Sequence, residues 1–406
     1  MLRCGLLGKT LGHSYSPQIH AELGGYAYKL YEKAPGELED FLKSGSFDGL
    51  NVTIPYKKTV VPYCAALSDT ARALGSVNTL VRRPDGTLRG DNTDFFGFTH
   101  LVRASGVSPA GKKALVFGSG GASATVTAAL AALGASPVVI SRHGPDNYGN
   151  LGRHRDAQLV VNTTPVGMYP NNGAAAADLT CFPLCEAVFD IIYNPARTAL
   201  LLQAETLGIP AFGGLPMLVA QAKRSCELFT GAPVPDAEIG RIEALLRRQM
   251  QNVVLIGMPG CGKTTVGREL ARALGREFVD ADEELVKNTG LPIPEFFRRY
   301  GEDAFREKET EILSALGRRS GLVLATGGGC VTRAENYPLL HQNGVIVWLR
   351  RDIRLLPTAG RPLSEKSGLS DLLRARAPLY EKFADFSADN AAPPLRTAQK
   401  IKEALA

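Results

Sequence analysis

No Cys-x-x-Cys pair occurs among the seven cysteines of this chain. Cys181 and Cys185 come closest, but no second pair completes a zinc site. An odd, scattered set predicts reduced, mostly buried thiols of a cytoplasmic protein. No uncharged apolar run reaches membrane-spanning length, so no membrane partner is expected. The first residues carry Arg3 and Lys9 and no apolar core long enough for a signal peptide. Charge of one sign is scarce: the net charge is only +6 over 406 residues. No basic run interleaved with aromatics suggests nucleic acid, and no internal repeat is detectable. A mild positive excess suits anionic small molecules, and a solvated surface explains it equally well. At 45% hydrophobic and 21% charged residues, the composition is that of an ordinary soluble globular protein. The length predicts two or three domains.

What is present begins past the middle. Gly257-Met-Pro-Gly-Cys-Gly-Lys-Thr264 is a full phosphate-binding loop. The apolar run Val253–Ile256 precedes it, and Val266, Leu270 and Leu274 follow at helical spacing up to Gly275. This strand–loop–helix context is what such a loop requires. Gly257, Gly260 and Gly262 shape the cradle, Lys263 reaches the β- and γ-phosphates, and Thr264 offers its hydroxyl to Mg²⁺. No Asn-Lys-x-Asp guanine motif accompanies it, which weakens a GTPase reading. Upstream, residues 236–251 place Ile239, Ile242, Leu245 and Leu246 at helical spacing and predict a connecting helix.

The front half alternates strand and helix patterns from residue 113 onward: Ala114–Phe117, an Ala-rich helix stopped by Gly134, then Pro137–Ile140, Leu159–Val161 and Ala187–Ile192. That alternation predicts a doubly wound parallel sheet. Gly118 and Gly120 allow close approach of backbone N–H groups to a pyrophosphate. Ser123 replaces the third glycine of the usual fingerprint. After the next strand comes Ser141-Arg142, where a carboxylate would select a ribose hydroxyl. An arginine there pairs with a 2′-phosphate and predicts NADP(H).

Before residue 100 lie Ser14 and Ser16, whose hydroxyls point the same way if the chain is extended. Asn51, Thr53 and Lys57 follow in one segment, then Asn78 and Asp94. So many amides and hydroxyls with one Lys/Asp pair suit a ligand bearing several hydroxyls and a carboxylate. Singly, each is more often a turn or cap residue.

The strings HSYSP (13–17), NVTIPYK (51–57), SVNT (76–79), GDNTD (90–94), GSGGAS (118–123), NTTPVGM (162–168) and GGLPMLVAQA (213–222) resemble the shikimate dehydrogenase family in order and spacing. The resemblance covers roughly residues 1–245. It implies that Ser14, Ser16, Asn51, Thr53, Asn78, Asp94 and Gln221 hold the substrate, that Lys57 and Asp94 form the catalytic pair, and that Tyr193 stands nearby. It adds Gly121, Ala122 and Gly214 to the cofactor contacts of Gly118, Gly120, Ser141 and Arg142. The sequence departs from the family at Lys9–Gly12, where a proline-containing turn is common, and at 141–159, which is shorter than usual.

In the rear half, Asp280-Ala-Asp282 predicts two carboxylates on one side of a strand end, one for Mg²⁺ and one for a substrate hydroxyl. Arg306 and Glu309 are three apart on a helix. Thr326-Gly-Gly-Gly329 offers bare backbone, and Arg354, Arg361 and Arg376 follow. This set resembles shikimate kinase over roughly residues 251–400. The resemblance implies that Asp282 binds the acceptor hydroxyls as candidate base and that Asp280 lies by the magnesium. Arg306 and Arg376 clamp the carboxylate, Gly328 and Gly329 lie against the ring, Thr265 joins the nucleotide contacts, and Arg361 belongs to a lid. The segment from Leu349 to Arg361, with Pro357 inside it, is shorter than usual.

The expected fold class is α/β. A substrate-binding domain spans 1–99 and 212–245, a Rossmann-type NADP domain 100–211, and a P-loop kinase domain with a parallel sheet 251–406. The expected activity is bifunctional: NADPH-dependent reduction of 3-dehydroshikimate to shikimate, then phosphorylation of shikimate with ATP and Mg²⁺. Two rivals remain at this point. One is a front half preferring quinate with NAD. The other is a metabolite-sensing regulator in which one half binds without turnover.

Overall fold

The computed structural model describes residues 1–12, 14–356 and 368–405. The chain divides into two compact units. The first comprises Met1–Met168, Ala174–Tyr193 and Leu200–Leu246; the second comprises Tyr169–Gly173, Asn194–Ala199 and Arg247–Ala406. The connecting helix runs Ala237–Met250, with Ile239, Ile242 and Leu246 buried, as their spacing predicts.

The first unit holds two sheets. One contains β1 (Arg3–Gly8), β2 (Ala27–Glu32), β3 (Gly49–Val52), β4 (Ala66–Leu67), β5 (Thr79–Arg82) and β6 (Leu88–Asp91), in the order β2-β1-β3-β5-β6-β4. It is mixed: β3, β5 and β6 pair antiparallel, while β1 pairs parallel with β2 and β3. Leu7, Leu50, Val52 and Leu80 line its core.

The other sheet contains β7 (Lys113–Phe117), β8 (Ser136–Ile140), β9 (Leu159–Asn162), β10 (Ala187–Asp190) and β11 (Ala211–Phe212), all parallel, in the order β11-β10-β9-β7-β8. Its central strands β7, β9 and β10 are buried on both faces, which is why they read as apolar runs. Between Ser141 and Leu159 the chain forms only one short 3₁₀ turn, Leu151–His154. Helices Thr93–Ala104 and Leu215–Thr230 share a core through Phe98, Leu101 and Met217.

The second unit is built on β12 (Asn252–Ile256), β13 (Glu277–Asp280), β14 (Leu322–Ala325), β15 (Gly344–Arg350) and β16 (Phe386–Asp389). All are parallel, in the order β13-β14-β12-β15-β16. In both parallel sheets the glycine-rich loop follows the strand from which the order runs in opposite directions, β7 and β12. Ligand crevices of open α/β sheets form at that position. No helix among the described residues is long and apolar enough to cross a membrane.

Two candidate active sites

In the first unit, Lys57 sits in the loop after β3 and Asp94 in the first turn of helix Thr93–Ala104. The Lys57 ammonium donates to Asp94 Oδ2 at 2.5 Å. Asn92 caps that helix by accepting from Phe95 N–H, and its amide donates to the Ser76 carbonyl. Asp94 is thus fixed by backbone geometry before any ligand arrives.

Around the pair lies a buried polar network. Asn78 Oδ1 accepts from Thr93 N–H at 2.7 Å, and Asn78 Nδ2 donates to Thr93 Oγ1 at 3.0 Å. Asn51 Nδ2 donates to Ser225 Oγ at 2.7 Å, and Tyr28 donates its O–H to Asn51 Oδ1 at 2.7 Å. Ser225 Oγ also lies 2.9 Å from Thr79 Oγ1 and 3.0 Å from Thr93 Oγ1, and donates to the Gln221 carbonyl. Gln221 is buried one turn before Ser225, with Oε1 near Thr93 Oγ1 and Nε2 donating to the Leu218 carbonyl. Stacked on Tyr28, His20 is pushed down to about 3 by burial and so stays neutral.

The sequence reading named Asn51, Asn78, Asp94 and Gln221 but missed Ser225, Thr79, Thr93 and Tyr28. The four-residue spacing of Gln221 and Ser225 on one apolar-rich helix was the available signal. Ser14 and Ser16 correct that reading. Tyr15 is in the helical region and Ser16 opens helix Ser16–Leu23, so the two hydroxyls do not share the face of an extended strand. Instead Ser14 Oγ accepts from Ser16 N–H at 3.2 Å. Thr53 follows β3 with its N–H on the Leu7 carbonyl. Tyr193 lies edge-to-face with Tyr15, centroids 5.9 Å apart, and burial pushes its phenol upward.

At the cofactor crevice Gly118 takes φ +113, where an added Cβ would lie 2.7 Å from Thr163 Oγ1. Gly120 is the N-cap of helix Gly121–Ala132, whose first residues are Gly121 and Ala122. Ser123, standing for the third glycine, donates its hydroxyl to the Gly118 carbonyl at 2.6 Å and so braces the turn. Ser141 and the exposed Arg142 follow β8 directly. Gly214 caps helix Leu215–Thr230, packed so tightly that a Cβ would lie 2.0 Å from the Ile191 carbonyl oxygen.

In the second unit, a cleft of about 470 Å³ joins the phosphate loop to Asp280, Asp282, Arg306, Gly328 and Arg376. Gly262 has φ +99 and leads into helix Lys263–Leu274, which also carries Thr264 and Thr265. Asn390 braces the turn by donating to the Cys261 carbonyl at 2.7 Å. The Lys263 ammonium donates to the carbonyls of Gly257 and Met258. Thr264 donates its hydroxyl to Asp280 Oδ2 at 2.7 Å, while Asp280 Oδ1 accepts from Asp282 N–H.

Asp280 ends β13, but Asp282 lies in the first turn of helix Ala281–Thr289. The expectation of two carboxylates on one side of a strand end is therefore corrected: one caps the helix, the other rides on it. Asp282 is raised to about 6, chiefly by burial, with the charges of Asp280 and Glu309 adding to it. Arg306 Nη1 donates to Glu309 Oε2 at 2.7 Å, and both are buried, at 6% and 2% exposure. Arg306 Nε and Glu309 Oε1 are themselves buried atoms with no hydrogen-bond partner among the described residues.

The bare glycine loop is approached by side chains: a Cβ on Gly329 would lie 2.2 Å from Arg306 Nη2, and one on Gly327 would lie 2.4 Å from Glu309 Oε1. Arg376 Nη1 donates to the Gly328 carbonyl at 3.1 Å. Arg354 pairs with Asp352. The expected lid residue Arg361, and Pro357, lie outside the described residues.

A shikimate dehydrogenase of Oleidesulfovibrio alaskensis, described as NADP(+)-dependent, is 39% identical over 258 residues, covering 58% of this chain and 91% of the relative. The chain belongs to the shikimate dehydrogenase family. The family model for the shikimate dehydrogenase substrate-binding domain matches residues 6–80, and the shikimate kinase model matches residues 259–406. The chain is thus a fusion of the two. Among solved structures, shikimate dehydrogenase 1 of Peptoclostridium difficile superposes with a TM-score of 0.57 at 32% identity, covering 61% of this chain and 98% of that one. The Thermus thermophilus enzyme, solved with NADP(H) and shikimate, gives 0.55 at 31% identity, covering 60% and 98%. The dehydrogenase family assignment rests on the first 58–61% of the chain and the kinase match on the remainder.

Proposed function

We propose that the chain reduces 3-dehydroshikimate to shikimate with NADPH and then phosphorylates shikimate with ATP, as a step pair of aromatic biosynthesis in the cytoplasm. The carrying observation is that two separately built residue constellations, the Lys57–Asp94 network and the phosphate-loop cleft, lie in segments similar to enzymes that share one small hydroxy acid. The domain limits proposed are 1–99 with 212–245, 100–211, and 251–406.

In the front site, NADPH supplies the hydride when bound. Gly118, Gly120, Gly121, Ala122 and Gly214 would flank it, with Ser141 and Arg142 at the 2′-phosphate. Asn51, Asn78, Gln221, Ser14, Ser16, Thr53 and Tyr193 would orient the substrate. Lys57 gives a proton to the oxygen as negative charge develops there, and Asp94 keeps the ammonium aimed. In the reverse direction the same amine accepts the proton.

In the rear site, Gly257, Gly260, Gly262, Lys263 and Thr265 would hold the phosphates. Thr264 and Asp280, already paired, are a fitting donor set for Mg²⁺, which would neutralise phosphate charge. Arg306 and Arg376 would take the substrate carboxylate, with Gly328 and Gly329 beside the ring. Asp282 draws the proton from the acceptor hydroxyl. Its raised affinity for a proton suits that role near neutral pH.

Steady-state rates of the purified chain on shikimate and quinate with NADP and NAD, and ADP release with shikimate and ATP, test this. Shikimate with NADP and shikimate-dependent ADP release are expected. A preference for quinate with NAD overturns the front assignment, and shikimate binding without either turnover would make the chain a sensor.

A further inference from the structure

The helix Leu369–Phe383 carries Arg376 and, one turn later, Tyr380, which is fully buried. Both side chains reach one backbone atom. The Tyr380 O–H and Arg376 Nη1 each donate to the Gly328 carbonyl, filling both of its lone pairs. Burial pushes the Tyr380 phenol upward, so it remains a donor at every working pH. Its ring stacks on Trp348 of β15, with centroids 5.7 Å apart at 26°. On its other side Gly328 presses on the phosphate loop, since a Cβ there would lie 2.6 Å from Pro259 Cδ. The Gly328 peptide is therefore held between Pro259 and the two donors.

The geometry points to Tyr380 as a positioning residue of the kinase site: it fixes the Gly328 carbonyl and, through that shared acceptor, the bearing of the Arg376 guanidinium toward the substrate carboxylate. The inference rests on the kinase reading above. Without the tyrosine hydroxyl, the Gly328 carbonyl would be held by Arg376 alone, and the arginine could swing with the loop. Tyr380 is fully buried and does not itself line the cleft, so its effect should fall on acceptor binding.

Tyr380→Phe in the full chain tests this, because it deletes one oxygen and keeps the ring. The expected result is a rise in shikimate KM of roughly three- to tenfold, with kcat and ATP KM unchanged within about twofold, a pattern that marks lost uniform binding. Shikimate Kd, read by quenching of Trp348, the single tryptophan of the chain, should rise by the same factor. Unchanged shikimate KM and Kd in Tyr380→Phe overturns the inference. So does an equal loss for both substrates, or loss of the kinase melting transition, since the hydroxyl would then serve the fold. A wild-type chain lacking shikimate-dependent ADP release refutes instead the reading on which the inference stands.

Discussion

The Lys57 ammonium and the Asp94 carboxylate meet at 2.5 Å, with side chains 21% and 11% exposed. A loop lysine and a helix-borne aspartate are brought together by β3, by the Asn92 cap and by the Asn78–Thr93 bonds. Lys57→Ala should lower dehydrogenase kcat by roughly 10²–10⁴-fold. NADPH Kd and the kinase rate should be retained. Measuring both activities on one preparation checks this; a variant that keeps full dehydrogenase rate would remove Lys57 from the chemistry.

Burial pushes the Asp282 carboxyl up from the ordinary aspartate value of 3.8 to about 6. As a base it must be deprotonated, so kinase kcat/KM should fall as pH drops through about 6, and Asp282→Asn should abolish the acid limb together with most of the rate. A pH–rate profile reads this, and a profile flat between about pH 5 and 7.5 would contradict it.

The same shift has a stability consequence of definite sign. The folded state binds this proton more tightly than the unfolded chain does. Its contribution is full below about pH 4 and is lost as pH rises through about 6. At about pH 7.5 the buried charge is a cost, so Asp282→Asn should raise the kinase melting temperature by about 2–6 °C there. The gain should shrink on acidification toward the ordinary aspartate range. A gain that grows as pH falls would contradict the assignment.

Arg306 and Glu309 are buried together, so removing one strands the other. Arg306→Ala should destabilise the kinase unit by about 3–5 kcal/mol, as uncompensated buried charges do. Arg306→Ala with Glu309→Gln should recover much of that stability without restoring shikimate affinity. Denaturant melts of the single and double variants, read beside shikimate KM, separate the two effects.

Arg142, proposed above to meet the 2′-phosphate, is exposed just after β8. Arg142→Ala should raise NADPH KM about tenfold or more and leave NADH KM nearly unchanged. Equal losses with both cofactors would place Arg142 outside the discriminating contact.

Much of this was legible before any coordinates. The central parallel strands β7, β9, β10, β12 and β14 announced themselves as apolar runs because they are buried, whereas the short β11 and the half-exposed β16 did not. The phosphate loop did so because glycines at 257, 260 and 262 precede a lysine and a threonine. Hidden features share one cause: they depend on tertiary neighbours. Ser225 is an ordinary serine in a helix until Asn51, Thr79 and Thr93 converge on it. Glu309 could have been a solvated helix residue, and only packing shows that it is buried against Arg306. Ser14 and Ser16 were misread because the helix begins at Ser16, with Pro17 occupying its first turn. Asp282 was placed on a strand end because an N-cap aspartate and a first-turn aspartate look alike in sequence.

The most direct measurement is a one-pot assay with 3-dehydroshikimate, NADPH and ATP, following NADPH oxidation, ADP release and product mass together. Shikimate 3-phosphate should accumulate with one NADPH and one ATP consumed per molecule, and Lys57→Ala should stop the sequence until shikimate is added. NADPH oxidation without any phosphorylated product, or ADP release that ignores shikimate, would contradict the account.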